Sequence, residues 1–186
     1  MRVFDFDNTV YDGESPFDCF LYGLRYRPGT IRYIFIVLYY LTRYKLHNIS
    51  EEKMEAAMRT HVASYIRVFN DVPDFSGKFW DKHEHKIKPW YHPRPDDIFL
   101  TANFNILTDE ICRRLGVRDC ISSTVDLENP ENMTVVFGSK KVDAFFKKYG
   151  DAHIDELYTD SKYDFALIEH ADKAFLVKGN KIKQIK

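Results

Sequence analysis

The sequence predicts an α/β protein with a largely parallel sheet and a helical insertion near its N-terminus. Strand-like and helical segments alternate after residue 93, a pattern typical of parallel strands joined by helices. Residues 15–91 instead carry apolar residues at helical spacing, and a single strand-like segment precedes them. We therefore expect an α/β core formed by residues 1–12 and 93–186, with residues 13–92 as an inserted helical domain.

The first strand and the helices after it are predicted from local composition. Residues 3–6 include β-forming residues and stop at the turn-like sequence Asp7-Asn8-Thr9. Helical spacing dominates residues 17–24 and 54–69. Ser50, followed by acidic residues, predicts the N-terminus of a helix.

The C-terminal half predicts strands and helices in alternation. Gly116 and Gly150 mark the ends of two of these helices. Strands are predicted at 97–101, 120–125, 156–159 and 174–177, and helices at 105–115, 141–149 and 164–170. The segment 174–177 is predicted to be the last strand.

Charge and cysteine content exclude some classes of protein. The 186 residues include 27 Lys and Arg against 28 Asp and Glu, a net charge of −1. This balance argues against binding of nucleic acid through bulk electrostatics, because such domains usually carry a basic excess. Cys19, Cys112 and Cys120 form no CxxC pair, and no basic-then-apolar leader opens the sequence, so we expect a cytoplasmic protein without a disulfide scaffold.

The most apolar run, residues 34–41, is bracketed by Arg32 and Arg43. The uncharged stretch around it is about half of the roughly 20 residues that span a bilayer, so no transmembrane segment is expected. A buried or half-buried helix is the favoured prediction. Two alternative interpretations of this run are that it contacts lipid or that it forms a groove for an apolar substrate.

Two acidic residues, Asp5 and Asp7, follow the first predicted strand. Two carboxylates at this spacing can converge on one hard cation, or divide nucleophilic and proton-transfer work between them. Acids are common in turns, so the pair alone is a weak signal. Its position strengthens it, because ligand sites in open parallel sheets lie at the carboxyl ends of strands.

A second cluster, Thr101-Ala102-Asn103, follows the next predicted strand. A hydroxyl and backbone amides at a helix start can hold phosphate oxygens, or the hydroxyl can simply cap the helix. Lys140 and Lys141 open a later helix, where a lysine can stabilise a phosphoryl transition state, although surface lysine pairs are usually only solvated.

The last cluster, Asp160 and Asp164, follows the strand at 156–159. One acid in the turn and another one helical turn further on suit a direct metal ligand and a supporting partner.

In this order, the four clusters resemble the motifs of haloacid dehalogenase-like (HAD) phosphatases: DxDx[TV], a Ser or Thr, a Lys, and a terminal acidic motif. The stretches FDFDNTVYDGES and YTDSKYDFALIEHADKAFLV resemble the phosphoserine phosphatase-like branch of this family. That branch inserts a helical cap after the first motif. The resemblance implies a HAD-like, Rossmann-type three-layer core and a cap at 13–92.

The resemblance also implies a reaction: a small-molecule phosphomonoester is hydrolysed through an aspartyl-phosphate. Asp5 would attack phosphorus, and Asp7 would protonate the leaving oxygen and then activate water. The cofactor Mg²⁺ would be held by Asp5, the Asp7 carbonyl and Asp160, with support from Asp164.

Further roles follow from the same resemblance. Thr9, Thr101, the amide of Ala102, and Asn103 would form the phosphate-binding part of the site. The branch usually places its lysine directly before a Val-like residue, which favours Lys141 over Lys140.

Glu14 lies nine residues after Asp5, where an acid in this branch faces a substrate amine, but it also suits a solvent-facing acid at the cap hinge. The chain departs from the branch pattern in having Thr101 where Ser is frequent, and Thr159 where Gly is frequent. The bulk of Thr159 could crowd the loop near the metal.

Two other classes of function stay open. A phosphoacceptor module of the receiver type also combines acids, a Ser or Thr and a Lys, but places its Asp on a middle strand and has no cap. The second class is a catalytically silent HAD-like binding protein. The presence of all four motifs argues against it. The substrate class is open among amino-acid, sugar, nucleotide and lipid phosphates.

Overall fold

The computed structural model describes residues 1–129, 132–136, 138, 140–161 and 165–186. The described part contains seven strands and seven α-helices, with two short 3-10 helices at Pro28–Ile31 and Glu84–Lys86. The strands are β1 (Arg2–Phe4), β2 (Ile98–Phe104), β3 (Asp119–Val125), β4 (Met133–Thr134), β5 (Ile154–Thr159), β6 (Ala171–Lys178) and β7 (Lys181–Gln184). The helices are α1 (Ser15–Leu24), α2 (Arg32–Lys45), α3 (Glu51–Ile66), α4 (Val72–His83), α5 (Asn105–Leu115), α6 (Lys140–Tyr149) and α7 (Phe165–His170).

The strands form one sheet in the order β4-β3-β2-β1-β5-β6-β7. The five inner strands pair in parallel, whereas β4 and β7 pair antiparallel at the two edges. The chain runs outward from β1 to β3 on one side and then returns to β5 on the other side of β1. Since ligands bind where the strand order reverses, the carboxyl end of β1 is the expected place for a site. The predicted α/β fold class is confirmed.

Hydrophobic side chains pack on both faces of the sheet because successive residues of a buried strand point to opposite sides. On β1, Phe4 belongs to a cluster that includes residues of α1, α4 and α5. Its neighbour Val3 belongs to a second cluster that includes residues of α6 and α7. The core therefore has three layers, with helices on each face of the sheet.

Two strand predictions were incomplete. The chain does not end its last strand at 177, since β6 continues to Lys178 and is followed by the exposed hairpin strand β7. The second strand also does not stop at Thr101 but extends to Phe104, directly before α5. The polar sequence Thr101-Ala102-Asn103 suggested a turn, yet the strand continues through these residues with a shift of its register against β3. Ser123 Oγ of β3 donates to the carbonyl of Ala102 at 3.0 Å.

Helices α4 and α3 of the insertion between β1 and β2 both contact the rest of the chain. Helix α4 lies on α5, and Trp80 Nε1 donates to the carbonyl of Leu107 at 2.9 Å. Helix α3 packs through Ala63 and Ile66 against residues of β3 and β4. The boundaries at 12/13 and 92/93 stay a prediction. Among the described residues, no helix has both the length and the apolar character needed to cross a bilayer.

Candidate active site

The candidate site lies at the carboxyl edge of the sheet, where β1 and β5 run side by side. Asp5 follows β1 directly, and its amide donates to the carbonyl of Tyr158 on β5 at 2.9 Å. Asp160 follows the last residue of β5. Parallel pairing thus brings together two acids that are 155 positions apart in the sequence.

Asp5 is paired with a buried lysine. Lys141 Nζ lies 2.9 Å from Asp5 Oδ1, and both side chains are nearly buried, with 11% and 13% of their surface exposed. Burial raises the pKa of Asp5, Lys141 opposes this rise, and the neighbouring charge of Asp160 adds to it. Burial also raises the pKa of Asp160, and a hydrogen bond with Asp5 lowers it. Asp5 and Asp160 therefore sit close together, where the charge of Lys141 acts on both and that of Lys178 acts on Asp160.

The two adjacent lysines have different surroundings. Lys141 reaches Asp5 from the first turn of α6. Lys140 forms an ion pair with Glu55 of α3 instead, and its side chain is 43% exposed. Only Lys141 of the two is thus placed at the acids.

Asp7 is held by the start of α1. Ser15 N donates to Asp7 Oδ1 at 2.6 Å. Burial raises the pKa of Asp7 to about 7, while hydrogen bonds from Ser15 lower it and the charges of Asp5 and Glu14 raise it further. A carboxyl group with this pKa can both donate and accept a proton near neutral pH.

Ser15 also connects Asp7 to the strand β2. It is fully buried, and its Oγ accepts from Asn103 Nδ2 at 2.7 Å. The other amide atom of Asn103, Oδ1, accepts from Phe104 N at 2.7 Å. The sequence motifs did not single out Ser15, and both side-chain atoms of Asn103 are occupied within the protein. The structure thus places Asn103 behind Asp7 through Ser15, and its predicted contact with phosphate stays a prediction.

Thr101 and Thr9 are both buried, but only the first has a hydrogen-bond partner. Thr101 Oγ1 accepts from Asn103 N at 3.1 Å, which leaves its own proton for another acceptor. The prediction that Thr101 and Ala102 stood at a helix start was wrong, because they lie within β2. Thr9 is completely buried, and its hydroxyl has no partner among the residues that the structure describes.

Glu14 lies at the exposed end of the first-motif loop. Its Oε1 accepts from Asn8 Nδ2 at 2.6 Å, and it immediately precedes α1. Its charge acts on both Asp7 and Asp160, which places it near the acids. A substrate-facing role and a hinge role are both compatible with this position.

Lys88 is a buried cation that no sequence motif indicated. It is 2% exposed, and its Nζ donates to the carbonyl of Asn8 and, at 2.8 Å, to the carbonyl of Gly179. Burial lowers its pKa, and the charges of Asp12 and Asp160 oppose this. Asn8 has a left-handed backbone, with φ of 59°, so Lys88 fixes a turn that few residues adopt. No local pattern could have revealed it, because its partners are 80 and 91 positions away.

The loop after β5 holds the last predicted acids. Thr159 is completely buried, and its Oγ1 accepts from Ser161 N at 3.1 Å. Its side chain thus helps to close the turn after Asp160. The predicted supporting acid Asp164 lies outside the described residues.

The acids of this site fit a divalent cation such as Mg²⁺. Carboxylate and carbonyl oxygens are the ligands that Mg²⁺ prefers. Asp5 is nearly buried beside the half-buried Asp160, and burial raises the pKa of both, so a bound cation would favour their joint ionisation. The residues present can hold such an ion, and they place it near a lysine and an acid whose pKa is about 7.

Comparisons with known proteins identify the fold. No family model matches the sequence, and no curated protein matches it significantly. A protein of unknown function from Bordetella pertussis Tohama I is similar in structure, with a TM-score of 0.72 at 16% identity over 94% of this chain and 87% of that one. A phosphoserine phosphohydrolase-like protein from Francisella tularensis has a TM-score of 0.56 at 15% identity over 93% of this chain and 84% of that one.

A HAD family hydrolase from Salmonella enterica serovar Typhi has a TM-score of 0.59 at 14% identity. The match covers 91% of this chain but only 59% of the hydrolase, so the chain spans little more than half of that protein. These likenesses show that the chain shares the α/β fold of these proteins, which include a HAD family hydrolase.

Proposed function

We propose that the protein is a Mg²⁺-dependent phosphatase that hydrolyses a small phosphomonoester through an aspartyl-phosphate on Asp5. The contact that carries this proposal is the 2.9 Å ion pair between Lys141 Nζ and Asp5 Oδ1 at the switch point of the sheet. Asp160 lies beside that pair. Asp7, two residues after Asp5 in the sequence, has a pKa of about 7. The structural similarity to HAD hydrolases supports the same reaction class.

In the first step, a carboxylate oxygen of Asp5 attacks phosphorus and the bond to the ester oxygen breaks. Asp7 gives its proton to that leaving oxygen, so an alcohol departs and Asp5 carries the phosphoryl group. In the second step, Asp7 takes a proton from water as the water oxygen attacks phosphorus. Inorganic phosphate leaves, and both carboxyl groups return to their starting state.

The surrounding groups offset the negative charge of these steps. Lys141 donates toward Asp5 and the phosphoryl oxygens, and Thr101 and the Ala102 amide donate to phosphate oxygens. Asp5, the Asp7 carbonyl and Asp160 would hold Mg²⁺, which supplies electrostatic stabilisation of the transferring phosphoryl group. Ser15 and Asn103 orient Asp7.

We also propose that the protein works in the cytoplasm. The three cysteines are free, and two of them are buried. Free thiols are typical of a reducing compartment.

The first test is turnover of p-nitrophenyl phosphate by the wild-type protein and by Asp5→Asn, with Mg²⁺ and with a chelator. We expect the substitution to reduce turnover by at least about 10³-fold, because the nucleophile is lost. The matched control is Asp12→Asn, an exposed acid of the same loop, which should keep wild-type turnover. Activity that survives Asp5→Asn, or that is unaffected by the chelator, contradicts the proposal.

The adjacent lysines provide a second test. Lys141→Met should lower turnover by about 10²–10³-fold, because the cation beside Asp5 is removed. Lys140→Met removes the same charge one residue away and breaks only the ion pair to Glu55. Equal losses in the two variants would argue against the role given to Lys141.

A further inference from the structure

Helix α2 presents an unusually apolar surface to solvent. Among the described residues, ten of the thirteen large hydrophobic side chains that are strongly exposed fall within residues 17–46. Single exposed apolar residues are normal on protein surfaces, whereas a contiguous group marks an interaction site. Five of the ten form the α2 stripe, defined as Ile31, Phe35, Leu38, Tyr39 and Leu46.

The α2 stripe lies on one side of the helix. At about 100° per residue, positions 31, 35, 38, 39 and 46 fall within one sector of the helical wheel. The opposite sector contains Tyr33, which is buried, and the half-buried Tyr40 and Tyr44. Tyr33 and Tyr40 contact Tyr65 and His61 of α3 through their rings. The helix therefore packs on α3 through its tyrosine side, whereas each stripe residue is between 46% and 68% exposed. Val37 and Leu41 lie between the two sides and are also exposed.

Basic residues accompany the stripe. The sequence from residue 19 to residue 50 contains no Asp or Glu, but it contains Arg25, Arg27, Arg32, Arg43 and Lys45. The whole chain has a net charge of −1, so this concentration of positive charge is local. Arg32 and Arg43 fall along one edge of the stripe at helical spacing, and Arg43 donates to Tyr39 Oη at 2.7 Å.

A shallow cleft of about 380 Å³ adjoins the N-terminal end of α2. Its lining includes Arg27 and Arg32 together with Tyr26 and Val68. Two guanidinium groups beside apolar surface suit phosphate groups that lie just above an apolar layer.

We propose that the α2 stripe docks on the surface of an anionic lipid bilayer. An apolar face bordered by arginines, with tyrosine at the boundary, is the arrangement of helices that lie in the bilayer interface. The stripe inserts among the acyl chains near the headgroups, and the arginines meet the lipid phosphates. A second copy of the chain fits this surface poorly, because two such faces would bring like charges together.

Vesicle flotation with the full chain tests this proposal. The wild-type protein should float with phosphatidylcholine vesicles that contain phosphatidylglycerol and should not float with phosphatidylcholine alone, and added salt should weaken binding. Phe35→Ser combined with Leu38→Ser should reduce partitioning by at least about tenfold. The control, Leu127→Ser combined with Ile182→Ser, replaces two exposed apolar residues outside the stripe and should bind as the wild type does.

Charge variants provide the second arm. Arg32→Gln combined with Arg43→Gln should reduce partitioning roughly fivefold for each arginine, whereas Lys147→Gln combined with Lys183→Gln should have no effect. Circular dichroism is measured on each variant to check that it keeps its fold. The proposal is overturned if the wild type fails to bind anionic vesicles, or if the stripe variants bind as well as their controls. It is also overturned if sedimentation shows a dimer that Phe35→Ser dissociates.

Discussion

At the scale of single residues, Asp7 illustrates how a titratable acid is held by groups distant in sequence. Its carboxyl accepts from the amide of Ser15, and Ser15 in turn accepts from Asn103. Burial is the largest cause of its raised pKa, and these hydrogen bonds keep that pKa at about 7. Its position is therefore determined by β2 and α1 as much as by its own loop.

Thr9 presents the opposite situation, a buried polar group without a hydrogen-bond partner among the described residues. An unsatisfied buried hydroxyl costs about 1–3 kcal/mol, so Thr9→Val should raise the free energy of unfolding by about 1 kcal/mol. We expect phosphatase activity to be retained, because the Thr9 side chain is completely buried. Urea unfolding and p-nitrophenyl phosphate turnover measure the two effects.

The sequence-based expectation that Thr9 binds phosphate predicts a different result for this variant. If the Thr9 hydroxyl contacts phosphate, Thr9→Val loses turnover while Thr9→Ser keeps it. Thr9→Ser is also informative about packing, because it keeps the hydroxyl and removes a buried methyl group, which should cost about 1 kcal/mol.

The main acids and the lysine were predictable because each follows a strand or starts a helix. Asp5, Asp160 and Lys141 could be placed at one sheet edge from motif order alone. Ser15 and Lys88 could not, because the roles of both depend on contacts between segments 80 or more positions apart. Such contacts leave no periodic or local signal in a single sequence.

At the scale of secondary-structure elements, the strands with a strong apolar pattern were predicted, and the strands without such a pattern were not. The inner strands are buried β-formers, whereas β7 has the sequence KIKQ and is exposed along its whole length. The two-residue strand β4 is too short to give any pattern. The extension of β2 was missed because the sequence Thr101-Ala102-Asn103 resembles a turn, whereas these residues continue the strand with a shifted register against β3.

One arginine bonds to several groups across the contact between α4 and α5. Arg114 on α5 donates to Gly77 O and Asp81 on α4, to Glu84 after it, and to Glu110 on α5 itself. Arg114 is 17% exposed, whereas its neighbour Arg113 is 69% exposed and bonds only to Glu110 among the described residues. The network thus joins the helical insertion to the core.

Arg114→Met should therefore lower the free energy of unfolding by about 1–3 kcal/mol, measured by urea denaturation. Arg113→Met is the control and should cost less than about 1 kcal/mol. The Arg113 and Arg114 guanidinium groups lower the pKa of Glu110 from 4.5 to about 2. Because this pKa is lower in the folded state, Glu110 contributes stability above pH 4.5 that is lost as the pH falls toward 2.

The difference in the free energy of unfolding between the wild type and Arg114→Met should thus become smaller as the pH falls from 4.5 toward 2. The prediction is contradicted if Arg114→Met and Arg113→Met lower the free energy of unfolding equally. It is also contradicted if the loss caused by Arg114→Met does not change with pH.

At the scale of the whole molecule, a balanced net charge conceals a local excess of negative charge. The chain carries −1 overall, yet Asp5 and Asp160 meet at the sheet edge with Asp7 and Glu14 nearby. These acids come from β1, β5 and the loop that leads into α1, so repulsion among them acts on the core and on the insertion together. A bound cation should consequently stabilise the entire fold.

We expect Mg²⁺ to raise the thermal midpoint by about 5–10 °C when its concentration is about 100 times its dissociation constant. Asp160→Asn should raise the midpoint without Mg²⁺, because one buried charge is removed, and should abolish most of the shift that Mg²⁺ causes. Asp151→Asn removes an exposed acid elsewhere and should keep the full shift. Since this readout needs no turnover, it distinguishes a site that cannot bind Mg²⁺ from one that binds Mg²⁺ but lacks its substrate. An equal shift in Asp160→Asn and the wild type would place the ion elsewhere on the molecule.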